Sequence, residues 1–247
     1  MSDIRNYRPD VPPIVKNLLI INVLVFVAQL LYSNSDSNFN LTQWLQLYPV
    51  MPEELRMILQ RDGHPLYSSG QQFYPYQIAT HMFAHSPGTF FHILFNMLGL
   101  WMFGSELENR WGPKRFLLFY LVCGVGAAAL HLLIHYFRCL DLLAAVQADD
   151  PNLGRLVGAA SPALGASGAL MGVLAAYAYH FPDRQLYIMA LLPVKAKWAV
   201  LGMAAYDVFG GVSNTGDNIA HFAHLGGALT GFILVLIWNK TGRKRFY

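Results

Sequence analysis

Long apolar runs separated by short polar stretches dominate the pattern of this chain. A helix needs about 20 residues to cross the hydrocarbon core of a bilayer, and six runs come close to or reach that length. They cover approximately residues 14–32, 89–106, 115–137, 164–181, 198–212 and 218–239. The pattern predicts an all-α, polytopic membrane protein built as a bundle of six transmembrane helices.

Composition supports a membrane protein and argues against a soluble domain. Hydrophobic residues make up 55% of the 247 residues and charged residues only 13%, with a mean hydropathy of +0.35. Soluble domains carry about 25% charged residues. The two cysteines, Cys123 and Cys139, predict neither a disulfide framework nor a metal site, and no basic segment with a short apolar core predicts a cleaved signal peptide. We expect no cofactor and no nucleic-acid partner.

The polar segments divide the chain into a short cytoplasmic N-terminal segment (1–13), a six-span domain (14–240) and a basic tail (241–247). Within the domain, the first connection (33–88) is long. Its part around Trp44 and Tyr48 is predicted to sit at headgroup level, because aromatic side chains favour the membrane interface. Two further connections are expected, a polar loop over 138–162 and a cytoplasmic or interfacial connector over 185–197.

The positions of the basic residues predict the orientation of the bundle. Six spans put both termini on one side, and 17 lysines and arginines are available for the comparison. Only four of them fall on the opposite side, namely Arg56, Arg61, Arg138 and Arg155. Because basic residues concentrate on the cytoplasmic side, both termini are expected in the cytoplasm, and we expect a bacterial plasma membrane.

The candidate chemistry begins at Ser167, within Gly165-Ala166-Ser167-Gly168-Ala169 at the start of the fourth run. A serine at a helix N-terminus lies beside free N–H groups and the positive end of the helix dipole. Those features suit a nucleophile whose reaction creates an oxyanion. The same five residues also suit plain helix packing, since small side chains are common where membrane helices approach closely.

Polar side chains in two other runs are further candidates, because such groups are costly inside a membrane. His92 and Asn96 are one helical turn apart, so both project from one face and could donate hydrogen bonds to an oxyanion. In the last run, His224 lies about 20° from Gly231 around the helix, whereas His221 lies about 80° away. His224 is therefore the histidine predicted to face a close helix contact through the glycines and to pair with Ser167.

No carboxylate is predicted to orient this base. Asp207 has no evident partner in the sequence, and Asp217 is expected to cap the last helix. The sequence therefore predicts a serine–histidine pair rather than a triad.

Taken together, these motifs resemble those of the rhomboid family of intramembrane serine proteases. The matching positions are Gly165, Ser167 and Gly168; His92 and Asn96; Ala223, His224, Gly227 and Gly231; Gly104, Glu108 and Gly112; Tyr120 and Gly124. The resemblance implies that Ser167 is the nucleophile and His224 its general base. It also implies an oxyanion hole made by His92, Asn96 and the Ser167 backbone N–H.

The resemblance further implies single-pass transmembrane proteins as substrates, cleaved near the outer face. It also implies that the long connection 33–88 lies in the outer leaflet and that the fifth span gates substrate entry. Met171 departs from the pattern, because the family often has an aromatic residue there that stacks on the catalytic histidine. The sequence predicts contact with membrane lipid but does not predict the oligomeric state.

Other functions stay open at this point. A rhomboid-like protein without chemistry could bind membrane proteins, and intramembrane polar residues can also line the pathway of a transporter. An aspartyl protease would use Asp207 and Asp217. A metal site would have to gather the histidines at positions 81, 85, 92, 221 and 224, whose spacing matches no known metalloprotease helix motif.

Overall fold

The computed structural model describes residues 11–33, 39–61, 72–148, 150, 161–188, 192–213 and 220–243. Within them, ten α-helices account for most of the chain. The helices are α1 (Pro13–Ser33), α2 (Leu41–Leu45), α3 (Glu53–Arg61), α4 (Gln77–Thr80), α5 (Phe90–Gly99), α6 (Ser105–Trp111), α7 (Pro113–Gln147), α8 (Ser167–His180), α9 (Ala196–Ser213) and α10 (His221–Arg243). A 3₁₀ turn (His81–Phe83) follows α4, and a π-helical stretch (Leu100–Gly104) joins α5 to α6.

Four helical segments of this described part are long and apolar enough to cross a membrane: Pro13–Tyr32, Phe90–Trp111, Pro113–Gln147 and His221–Lys240. They identify an integral membrane protein. The other two predicted spans correspond to α8 and α9. Helix α8 has 14 residues, which extend about 21 Å, so it is shorter than a complete span. The count of six spans stays a prediction.

Helix α7 is longer than the sequence predicted. The expected polar loop over 138–162 is wrong for its first ten residues, because α7 continues to Gln147. The added turns bury Cys139 and Leu142 against Leu55 and Leu59 of α3. Burial against a separate amphipathic helix therefore keeps this less apolar segment helical, in keeping with the rule that tertiary packing supplies most helical stability.

The connector over 185–197 contains an antiparallel hairpin, which the sequence did not predict. Strands β1 (Gln185–Ile188) and β2 (Leu192–Lys195) pair from Gln185 with Lys195 to Ile188 with Leu192. Just before the hairpin, Asp183 accepts from the ammonium groups of Lys195 and Lys197 at 3.1 and 2.9 Å. The backbone N–H of Ala196 donates to the carbonyl of Arg184 at 2.8 Å, which joins the start of α9 to the chain before the hairpin.

The two aromatic residues of the first connection that were predicted at headgroup level differ in their exposure. Trp44 is 53% exposed, as expected for a headgroup-level side chain, but Tyr48 is only 3% exposed. The backbone N–H of Tyr48 donates to the side chain of Gln77 at 3.2 Å, which ties this residue to α4. Burial within the protein does not measure depth in a membrane, so the headgroup-level position of Trp44 and Tyr48 stays a prediction.

Helix α8 lies at the centre of the bundle, where every residue from Gly168 to Ala178 is buried. Its main neighbours are α7 and α10. A Cβ placed on Gly231 of α10 would lie 2.6 Å from the Cα of Gly172, and one on Gly227 would collide with the carbonyl oxygen of Gly168. The predicted close approach through Gly227 and Gly231 is confirmed. We call these four glycines the glycine seam.

Candidate active site

Ser167 is the first residue of α8, and the loop before it is held from two sides. Ala163 forms an antiparallel bridge with Leu47, with N···O distances of 2.8 and 2.9 Å. The N–H of Gly165 donates to the carbonyl of His81 at 2.9 Å. Gly165 has φ +124°, a conformation that L residues avoid, so glycine is required for the chain to turn into the helix there.

His224 lies directly beside Ser167. The distance from His224 Nε2 to Ser167 Oγ is 2.8 Å, a hydrogen bond between side chains 57 residues apart in sequence. The glycine seam explains this distance, because α8 and α10 approach without any side chain between their backbones. The His224 side chain is 19% exposed, so the pair can be reached from outside the bundle. A hydroxyl bonded to an imidazole in this way is the arrangement of an activated nucleophile.

A carboxylate completes the contacts of His224, contrary to the sequence prediction. Asp207 Oδ1 lies 3.1 Å from His224 Nδ1 and 2.8 Å from His221 Nδ1. The expectation that Asp207 has no partner was therefore wrong. It failed because Asp207 belongs to α9, and the sequence contains no signal for how α9 packs against α10. Asp217, the other acid considered, lies outside the described residues.

His92 faces the same space as the Ser167 hydroxyl. A Cβ on Gly165 would lie 2.8 Å from His92 Nε2 and 3.5 Å from Ser167 Oγ, so glycine keeps this space open. The backbone N–H of Ser86 donates to His92 Nδ1 at 3.3 Å. Because Nδ1 accepts, the neutral ring carries its proton on Nε2 and can donate it into the open space.

Asn96 is placed one turn below His92, and its side chain bonds within its own helix. Its amide Nδ2 donates to the carbonyl of His92 at 2.8 Å, and the residue is 4% exposed. The contacts described for Asn96 do not include Ser167. The structure therefore brings together Ser167, His224 and His92, and places Asn96 behind them.

Two histidines of the first connection support this arrangement and were not predicted to do so. Burial lowers the pKa of His81 to about 4. Burial and, to a lesser degree, His92 lower the pKa of His85 to about 3. Gln29 of α1 holds the backbone of His85, donating to its carbonyl and accepting from its N–H, both at 2.9 Å. The His85 ring then packs edge-on against His92 with centroids 5.2 Å apart, so α1 helps to position His92.

In the part of the chain that is described, no three histidine, cysteine or acidic side chains are arranged to hold a metal ion.

Comparison with known proteins identifies the family. The profile of the Rhomboid domain matches residues 72–240. The chain is 28% identical over 155 residues to RHOMBOID-like protein 12, mitochondrial, of Arabidopsis thaliana, covering 63% of this chain and 44% of that protein. It is 30% identical over 163 residues to Rhomboid protein 1, mitochondrial, of Saccharomyces cerevisiae, covering 66% and 42%.

A bacterial relative covers more of the chain. Rhomboid protease AarA of Providencia stuartii is 25% identical over 233 residues, which are 92% of this chain and 73% of that protein. By contrast, the chain spans less than half the length of the plant and yeast relatives. Because those two are named as mitochondrial, the relatives do not support the expectation of a bacterial plasma membrane. The profile match covers more than half of the chain. Together with the apolar helices, it shows that this integral membrane protein belongs to the rhomboid family, which includes intramembrane proteases.

Proposed function

We propose that this protein is an intramembrane serine protease that hydrolyses peptide bonds in the transmembrane segments of single-pass membrane proteins. The observation that carries the proposal is the 2.8 Å hydrogen bond between Ser167 Oγ and His224 Nε2 at the start of a buried helix. A structural role alone would not require a serine there. The packing between α8 and α10 already rests on glycines on both sides.

The chemistry follows from the positions of the atoms. His224 Nε2 takes the proton of Ser167 while Oγ attacks the scissile carbonyl carbon, giving a tetrahedral intermediate. The protonated His224 then donates to the leaving amine, which departs and leaves an acyl-enzyme on Ser167. Water then gives one proton to His224 as its oxygen attacks the acyl carbon. The bond between that carbon and Ser167 Oγ breaks, His224 returns the proton to Oγ, and the second product leaves as a carboxylic acid.

The oxyanion of each intermediate needs hydrogen-bond donors. We propose the backbone N–H of Ser167, which lies in the first turn of α8 and has no partner within the helix, together with His92 Nε2–H. Asn96 is the third proposed donor. An amide has two N–H groups, and the bond to the His92 carbonyl uses one of them.

The proposed orientation places both termini on the side that carries most of the basic residues. Ser167, at the start of the fourth predicted span, then lies near the opposite, outer face. A scissile bond must reach that depth in an extended form. Substrate helices that unwind easily near their outer end are favoured, because each unpaired backbone group in lipid costs several kcal/mol.

The test is cleavage of a panel of single-span proteins by purified wild type, Ser167→Ala and His224→Ala. We expect both variants to lose cleavage by a factor on the order of 10⁶ while melting at the wild-type temperature, since members of such a pair act as one unit. Ser105→Ala is the matched control, because Ser105 belongs to α6, away from this site. A fluorophosphonate probe should label wild type but not Ser167→Ala.

A protein without chemistry would give a different result. Intact substrates bound equally by wild type and Ser167→Ala, with no label on either, would support a binding protein. Substrate-dependent transport that survives Ser167→Ala would support a transporter.

Asn96→Ala tests the oxyanion hole separately. We expect its kcat to fall by about 10²–10³, the usual effect of removing one oxyanion donor. The fluorophosphonate should still label Ser167, because the nucleophile and base are intact. Full turnover with a lower melting temperature would instead show that Asn96 only stabilises α5, through its bond to the His92 carbonyl.

A further inference from the structure

We propose that Asp207 is a positioning residue that holds His224 in the tautomer and orientation needed to accept the proton of Ser167. This inference rests on the proposed protease function. The juxtaposition that carries it is a single carboxylate oxygen bonded to Nδ1 of His224 at 3.1 Å, with Nε2 of the same ring 2.8 Å from Ser167 Oγ.

The tautomer of His224 follows from the bonds on each side of its ring. For Nε2 to accept from Ser167, the neutral imidazole must carry its proton on Nδ1. That N–H needs an acceptor, and a carboxylate is an acceptor only, so Asp207 favours this tautomer over the other. Without it, the proton could move to Nε2, and His224 would then be unable to serve as a base toward Ser167.

Asp207 is itself held in place by His221. Its side chain is only 4% exposed, and Oδ1 also accepts from His221 Nδ1 at 2.8 Å. A buried carboxylate is costly unless it is hydrogen-bonded, and two N–H donors on one oxygen reduce that cost. The backbone of α9 provides room for this contact, since any side chain at Gly210 would overlap the ring of His221. His221 therefore holds Asp207 in place, and Asp207 in turn holds the His224 ring.

The surroundings of His224 leave this role to Asp207. The aromatic contacts found among the described residues include none to the His224 ring, and Met171 lies in the main core with 3% exposure. The hydrogen bond to Asp207 is therefore a restraint on ring rotation that does not depend on stacking. Because Asp207 is on α9, the base is oriented only while α9 is packed against α10.

A second contact holds α9 without involving His224 and provides the control. Arg138 of α7 donates to the carbonyl of Gly211 and stacks over the ring of Phe222 at 4.7 Å. Arg138→Met removes the bond to α9 but leaves Asp207, His221 and His224 unchanged. It weakens the attachment of α9 to α7 while the contact of α9 with α10 at Asp207 is kept.

The experiment measures the tautomer and the kinetics in the same purified protein. Protein labelled with ¹⁵N at histidine gives ring signals that distinguish Nδ1–H from Nε2–H, and the His224 signals are assigned as those missing in His224→Gln. Wild type should show the Nδ1–H form at neutral pH. In Asp207→Ala and Asp207→Asn, kcat should fall by about 10²–10⁴ with KM within about threefold, because the ring is misoriented while substrate binding is unchanged.

The remaining variants test the two supporting contacts. Arg138→Met should keep the Nδ1–H signal and a kcat within about threefold of wild type. His221→Asn, which retains a donor at the position of Nδ1, should keep more activity than His221→Leu, which removes it.

Several outcomes would overturn the inference. One is a wild-type His224 ring in the Nε2–H form, which is read from wild type once His224→Gln has given the assignment. Another is an Asp207→Asn protein that is folded and has kcat within threefold of wild type while Ser167→Ala is inactive. If wild type and Ser167→Ala cleave equally, the protease proposal fails instead, and the tautomer signal still decides the role of Asp207.

Discussion

The contact between α8 and α10 differs in kind from the contact between α9 and α10, although each includes a hydrogen bond of His224. In α8, 11 of 14 residues are buried, and glycines let its backbone touch that of α10. In α9, four of 18 residues are buried, namely Ala196, Asp207, Gly210 and Gly211. Near the site, α9 meets α10 through the bonds of Asp207 to His221 and His224 and through the two glycines, which lie against the rings of His221 and Phe222.

This difference separates two requirements of the proposed chemistry. The distance between Ser167 and His224 depends on backbone packing, which cannot change without separating two central helices. The orientation of the His224 ring depends on its hydrogen bond to Asp207 of α9, a helix that buries few side chains. Segments with few buried apolar contacts open at lower free energy than the core. We therefore expect α9 to move away from the bundle more easily than α8 and α10 separate.

The largest effect is expected from one methyl group in the glycine seam. Gly227→Ala places a Cβ into the carbonyl of Gly168, so α8 and α10 must move apart. We expect a loss of about 2–3 kcal/mol in stability and at least a hundredfold loss of cleavage. Thermal melting and the substrate assay measure these two effects.

The same substitution in α9 is the matched control. Gly202 is exposed, and a Cβ there would meet nothing within 4 Å. Gly202→Ala should leave cleavage unchanged and stabilise the protein by about 0.5–1 kcal/mol, because it removes a helix-interior glycine. Equal damage from both substitutions would contradict the distinction between the two contacts.

A smaller effect is expected where α9 makes room for His221. Gly210→Ala overlaps the His221 ring, which can shift because it is the end of a side chain. We expect a loss of about 1–2 kcal/mol in stability and a roughly tenfold lower kcat, since Asp207 loses its second partner. Gly211→Ala is the control, because its Cβ would meet the Phe222 ring at 2.9 Å instead. It should reduce the melting temperature similarly but leave kcat within about twofold; a matching loss of kcat would show that α9 packing alone is responsible.

The smallest effect is expected at the exposed entrance to α9. Hydrogen bonds from Lys197 and Lys195 lower the pKa of Asp183 below its usual 3.8. A depressed carboxyl pKa contributes stability above the unfolded value, and that contribution is lost as the pH falls through the folded pKa. Because the pair is exposed and screened by solvent, Asp183→Asn should change the melting temperature only slightly at neutral pH and not at all in strong acid. A large change at neutral pH would mean that the hairpin holds α9 more firmly than its burial indicates.

The sequence alone determined the main helices and most of the candidate chemistry. Apolar runs and helical spacing are local properties, so they located the four long spans and identified Gly227 and Gly231 as a contact face. The angular position of His224 relative to those glycines singled it out over His221. The structure then places it 2.8 Å from Ser167.

Only the tertiary structure decided the features that depend on contacts between distant segments. The last turns of α7 are helical because α3 covers them, and Tyr48 is tied to α4 because Gln77 binds its backbone. Asp207 acquires its two histidine partners because α9 packs beside the start of α10. A sequence pattern records which face of a helix is apolar, but it does not record which neighbour a polar side chain meets across that face. For this reason Ser167 and His224 could be predicted from their motifs, whereas the carboxylate beside them could not.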